Sequence, residues 1–78
     1  MMNIHEFVKE RDEALLSLDK ERILKFTRKY GVQLPTTDKG FWGGVHKAIL
    51  HLESATDEQK EYSKQWLLQN NFKLEINI

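Results

Sequence analysis

Apolar residues recur at three- and four-residue intervals through most of this chain, the period of helices buried along one side. The first such stretch opens at NIHE, where Asn3 can cap the backbone and Glu6, three residues on, can complete a capping box. Ile4, Phe7, Val8, Arg11, Leu15 and Leu18 then mark one face. A second start follows at SLDKERI, with Asp19 as N-cap and Leu18 and Ile23 placed as a hydrophobic staple. Only a tight turn separates the two helices, which predicts an antiparallel or sharply angled pair. The second helix is expected to bury Ile23, Phe26, Thr27 and Tyr30. It should end at RKYGV, where Gly31 can take the left-handed conformation and Val32 can fold back on Phe26.

Pro35 disfavours helix at Leu34, so VQLPTTD reads as an extended link whose Thr36 or Thr37 caps a third helix over Asp38 to about Glu53. Successive residues turn by about 100°, which divides this helix into rows. Phe41, Val45, Ile49 and Leu52 form the core stripe, with a smooth ridge of Gly40, Gly44 and Ala48 beside it. Trp42, His46 and Leu50 lie on the other flank, and Gly43, Lys47 and His51 form the solvent row. TDEQ at Thr56 is a further capping box, opening a fourth helix with Tyr62, Trp66, Leu67 and Asn70 on one face and a left-handed stop at Asn71. In FKLEINI the period changes to two: Phe72, Leu74, Ile76 and Ile78 alternate with polar residues, as in a half-buried strand. That tail could pair with VQL, pair with the tail of another copy, or lie as an arm over the helices. The expected fold is all-α: a single compact four-helix domain over residues 1–78, the third helix at its centre, with 72–78 as a short extended C-terminal arm.

Size narrows the possibilities. A chain of 78 residues buries only about 60% of its unfolded surface on folding, which leaves little core in which to carve a deep pocket. The three helical glycines each cost roughly 0.5–1 kcal/mol relative to alanine, so some contact should offset them. Close packing against another helix is the favoured reason and approach of a ligand the alternative. There is no cysteine, hence neither a disulfide framework nor thiolate metal ligation. No run approaches 18 consecutive apolar residues, and the N-terminus passes directly into a charged, periodic segment, so a cytoplasmic protein is expected. Lys plus Arg equals Asp plus Glu at 12 each. The molecule therefore has no net field to draw it to nucleic acid or an anionic membrane, and any such contact must come from a local patch.

Candidate chemistry is sparse. His46 and His51 are about 140° apart around a helix and cannot chelate one metal as an i,i+4 pair can. His46 is expected as a partly buried ring between Trp42 and Leu50, paired with Glu53. Trp42 and Trp66 are expected as core or interface anchors. Arg22, Lys25, Arg28 and Lys29 form a basic strip on the second helix, read first as a solvated face and second as a phosphate or acidic-partner site. Glu6, Glu10, Asp12 and Glu13 share the first helix with Lys9 and Arg11, which suggests surface pairing within that helix. No phosphate-binding loop, dinucleotide fingerprint or metalloprotease motif is present, and no catalytic, metal or cofactor residues are expected. The leading expectation is a non-enzymatic protein-interaction or regulatory module, homodimeric in one version. Its contact surface would be Trp42, His46 and Leu50 or the tail residues Leu74 and Ile76. The alternative is a nucleic-acid accessory protein using Arg22, Lys25, Arg28 and Lys29, and the third is small-molecule binding near His46.

On ERDEALLSLD, RKYGVQLP, FWGGVHKAILHL and QWLLQNNF the chain resembles a group of small uncharacterised helical proteins of Gram-positive bacteria associated with mobile elements. The resemblance reaches to about Phe72 and leaves KLEINI outside. It implies a small helical domain and carries no activity, cofactor or site.

Overall fold

Asn3 leaves extended backbone and accepts a hydrogen bond from the His5 amide at 2.9 Å, and helix α1 follows as Ile4–Ser17. The computed structural model describes residues 3–72, an all-α chain of four helices. Leu18 closes α1 in the left-handed region at φ 53°, a conformation that costs a branched side chain about 1–2 kcal/mol relative to glycine. Ser17 helps hold this corner, its hydroxyl donating to the Ala14 carbonyl and accepting from the Asp19 amide. Asp19 then caps α2, Lys20–Tyr30, by accepting from the amides of Glu21 and Arg22. Gly31 ends α2 at φ 68°, and the Val32 amide donates to the Thr27 carbonyl at 2.9 Å, the six-residue bond of a Schellman stop. The backbone half of the expected fold-back is thus present, while the Val32 side chain stays 39% exposed.

Thr37 caps α3 with its hydroxyl on the Gly40 amide, and the helix runs Asp38–Ile49, four residues short of the expected end. The reason lies in the last turn, where His51 donates to Ala48 and Leu52 to Ile49, three residues back rather than four. The tightened turn swings Leu52 into the core from outside the helix, and Ala55 joins it there. Helix α4, Asp57–Gln69, begins with the expected capping box: Thr56 accepts from the Gln59 amide and the Gln59 side chain accepts from the Thr56 amide. Asn71 stops it at φ 64°, with the Phe72 amide donating to Leu67 at 2.9 Å.

The chain divides between Leu34 and Pro35 into two compact units, one holding α1 packed on α2 and the other α3 packed on α4. In the first, Ala14, Leu15, Ile23 and Phe26 are buried, and Phe7, Phe26 and Tyr30 form an aromatic triangle with centroids 4.9–5.6 Å apart. In the second, Phe41, Val45, Ile49, Leu52, Ala55 and Leu67 are buried together with His46 and Ser63. The expected core stripe of α3 is therefore present. Tyr62, expected on the buried face of α4, is 57% exposed, and Ser63 takes the inward position beside it. The expected strand over the tail lies outside the described residues beyond Phe72.

Candidate functional site

Two places gather the candidate residues, one in each unit. The first is the environment of His46. Burial leaves this residue 2% exposed, and its Nδ1 lies 2.9 Å from Ser63 Oγ. Trp66 stacks on the ring at 4.5 Å between centroids, with Tyr62 at 5.8 Å and Trp42 at 6.2 Å. The expected partner Glu53 is replaced by Ser63, which holds the inward position of α4 opposite His46. Desolvation holds the His46 pKa below its ordinary value, so the ring is neutral near pH 7 and shares one hydrogen bond between Nδ1 and the Ser63 hydroxyl.

Serine beside histidine is the start of a nucleophile–base arrangement. Here, however, Ser63 is 1% exposed and His46 scarcely more, so no substrate reaches either atom in the folded unit. The pair acts in packing. The expected contact row therefore needs correction: His46 is closed over by α4 of its own chain, leaving Trp42 and Leu50 half-buried at its sides. Trp42 meets Phe41 edge-on at 5.0 Å. Leu74 and Ile76 lie outside the described residues.

The same unit explains two glycines. A Cβ on Gly43 would overlap Phe72 Cζ, because the Phe72 ring rests directly on the bare backbone of α3. That ring also stacks on Trp66 at 5.9 Å and lies beneath the ammonium groups of Lys39 and Lys47 at 5.6 and 5.2 Å. Gly43 is thus buried, where its place in the helical rows predicts solvent, since Phe72 covers that face. At Gly40 a Cβ would stand 2.7 Å from Thr37 Oγ1 and 2.8 Å from Pro35 Cβ. Both glycines serve close packing, against flanking segments rather than against a neighbouring helix.

The second place is a groove of about 310 Å³ between α1 and α2. Ala14 and Phe26 give it an apolar floor, Glu10 and Glu13 of α1 form one wall, and Arg22, Lys25 and Lys29 of α2 form the other. The basic residues meet there because positions 22, 25 and 29 are neighbours on one helical face. Arg28 is exposed but is not part of the lining. Sequence reasoning finds the basic strip and misses the groove, since nothing local announces that Glu10 and Glu13 stand across from it. Instead of pairing within α1 as expected, Glu10 accepts from Lys29 Nζ at 2.8 Å and from the Tyr30 hydroxyl. The Lys29 hydrogen bond, seconded by Tyr30, draws the Glu10 pKa below its usual range, and Glu10 in turn raises those of Lys29 and Tyr30. Among the described residues Arg22 and Lys25 have no ion-pair partner.

Among the described residues no group of three or more His, Asp or Glu side chains is placed to hold a metal ion, and no helix is long and apolar enough to cross a membrane. No family model, curated protein or solved structure matches the chain.

Proposed function

We propose that this chain is a non-enzymatic protein-interaction module whose contact surface is the groove between α1 and α2. One observation carries this reading: a groove floored by the largely buried Ala14 and Phe26 runs between charged walls of opposite sign. Such a groove suits a polypeptide, which can present an apolar side chain and charged groups together. A nucleic-acid backbone is served less well. Counterion release rewards each phosphate neutralised by a free cation, whereas Lys29 is already held by Glu10, and a phosphate backbone brings no apolar group to Ala14 and Phe26. Small-molecule binding at His46 gains no support from a ring sealed by Ser63 and Trp66.

The test places a photo-crosslinking p-benzoylphenylalanine at Lys25, in the groove, or at the exposed Lys64 of α4 as a control, in cells that make the protein. The expected result is a discrete protein adduct from position 25 alone, resistant to nuclease, including a dimer-sized adduct if the partner is a second copy. Adducts removed by nuclease, identical adducts from both positions, or none from position 25 would overturn the reading.

A further inference from the structure

Within the groove the charges are not equally available. The Glu10–Lys29 pair, with Tyr30 also on Glu10, is satisfied internally and joins the two walls at one end. What remains for a visitor is Arg22 and Lys25 on α2, both exposed and without ion-pair partners among the described residues, facing Glu13 on α1. The available charge is therefore two cations on the α2 wall against the one carboxylate of Glu13 on the α1 wall. Arg22 and Lys25 are three residues apart on a helix, so their side chains leave the surface one turn apart, roughly 5–6 Å between Cβ atoms. Ala14 and Phe26 lie between the walls.

The volume helps decide what fits. Enclosing sites for small ligands run to roughly 300–1,000 Å³. A groove of about 310 Å³ with exposed walls is at the bottom of that range and takes one or two side chains of a larger partner.

Resting on the reading of the groove as a protein contact, we infer that its occupant is an acidic amphipathic segment of a partner protein. An apolar side chain of leucine size would rest on Ala14 and Phe26, and two carboxylates one helical turn apart would meet Arg22 and Lys25. Arg22 offers a planar fork that can hold a carboxylate through two parallel hydrogen bonds, and Lys25 a mobile point charge. Glu13 sets the side: it repels the carboxylates from the α1 wall and directs them toward α2. Because the whole chain is neutral by formal charge, a preference for acidic over basic partners has to arise at this local site and not from a long-range field.

The experiment uses the full-length chain and two labelled synthetic peptides of helical design, each with the same leucine stripe, one flanked by glutamates and the other by lysines. Fluorescence anisotropy is expected to show the glutamate peptide binding about fivefold to tenfold more tightly, as expected of two exposed ion pairs. In the Arg22→Glu/Lys25→Glu variant the preference should invert. A Lys60→Glu/Lys64→Glu variant on α4, with the same change in net charge, should keep the original order. Circular dichroism confirms that each variant is folded, since all four side chains lie outside the buried core. Equal binding of the two peptides, tighter binding of the lysine peptide, loss of the original order in the α4 variant, or tighter binding of an oligothymidylate than of the glutamate peptide would overturn the inference. A protein adduct from position 25 together with any of the peptide failures would leave the groove a protein contact of different chemistry. Absence of that adduct would remove the broader reading itself.

Discussion

His46 is a base kept from water, and its burial links folding to protons. With its pKa depressed by desolvation in the folded chain, the unfolded chain binds the proton more readily, so stability is full above the unfolded value of about 6.5. It falls as pH drops from there toward the lower folded value. Denaturation at a series of pH values should show this decline, accompanied by a change in Trp66 emission as the stacked ring charges. The variant His46→Gln should lack that step, and an identical pH profile in the variant would refute the linkage. The Glu10 contact gives a second titration. Spectrophotometric titration of tyrosinate should find Tyr30 ionising above its ordinary range, and Glu10→Gln should bring it down, because the carboxylate that disfavours tyrosinate is gone.

Gly43 and Phe72 form a pair whose energetics can be separated. Alanine in place of a helical glycine ordinarily adds about 1 kcal/mol, but here the new methyl group would displace the Phe72 ring. Gly43→Ala is therefore expected to be neutral or destabilising alone and stabilising by about 1 kcal/mol once Phe72→Ala has emptied the site. Phe72→Ala alone should cost about 2 kcal/mol for a half-buried ring. The same gain from Gly43→Ala in both backgrounds would show the contact to be energetically idle. At this scale the sequence is least legible. His46 and Gly43 take their environments from α4 and from residue 72, Ser63 takes its own from α3, and a periodicity within one helix carries no information about what covers it.

At the scale of elements the reverse holds, because most starts and stops here are local chemistry. Asn3, Asp19, Thr37 and Thr56 cap the four helices through their own side chains, and Gly31 and Asn71 turn left-handed where short-range sterics allow. Thr56→Ala, which removes one half of the reciprocal box, should lower stability by about 1 kcal/mol in urea denaturation, while Thr36→Ala should change little because Thr37 is the cap. Two ends carry leucine: that of α1, which no local signal marks as left-handed, and that of α3, which the pattern places too late. Leu18 is driven left-handed by the need to turn α1 into α2, and Leu50 ends α3 because Leu52 has to reach the core. Both are tertiary demands. The spacing of Val45, Ile49 and Leu52 reads as helix in any window, yet here the apolar period continues through Leu52 while the helical backbone does not.

At the scale of the whole molecule, all-α architecture and the identity of most core residues follow from periodicity, whereas the groove requires two helices to be placed side by side. Charge balance conceals it further: equal numbers of acids and bases describe a neutral chain, yet Glu13 and the pair Arg22 and Lys25 are sorted onto opposite walls. The division at Leu34 has an experimental use of its own. Both tryptophans, Trp42 and Trp66, lie in the unit that begins at Pro35, and the α1–α2 unit contains none. Indole emission during urea titration is consequently a private signal of the second unit, while far-ultraviolet circular dichroism sums over all four helices. Superimposed curves would mean that the two helical pairs melt as one cooperative body. An ellipticity change without a matching emission change would give the first pair a stability of its own, and with it the freedom to open around a partner while the tryptophan-bearing pair stays intact.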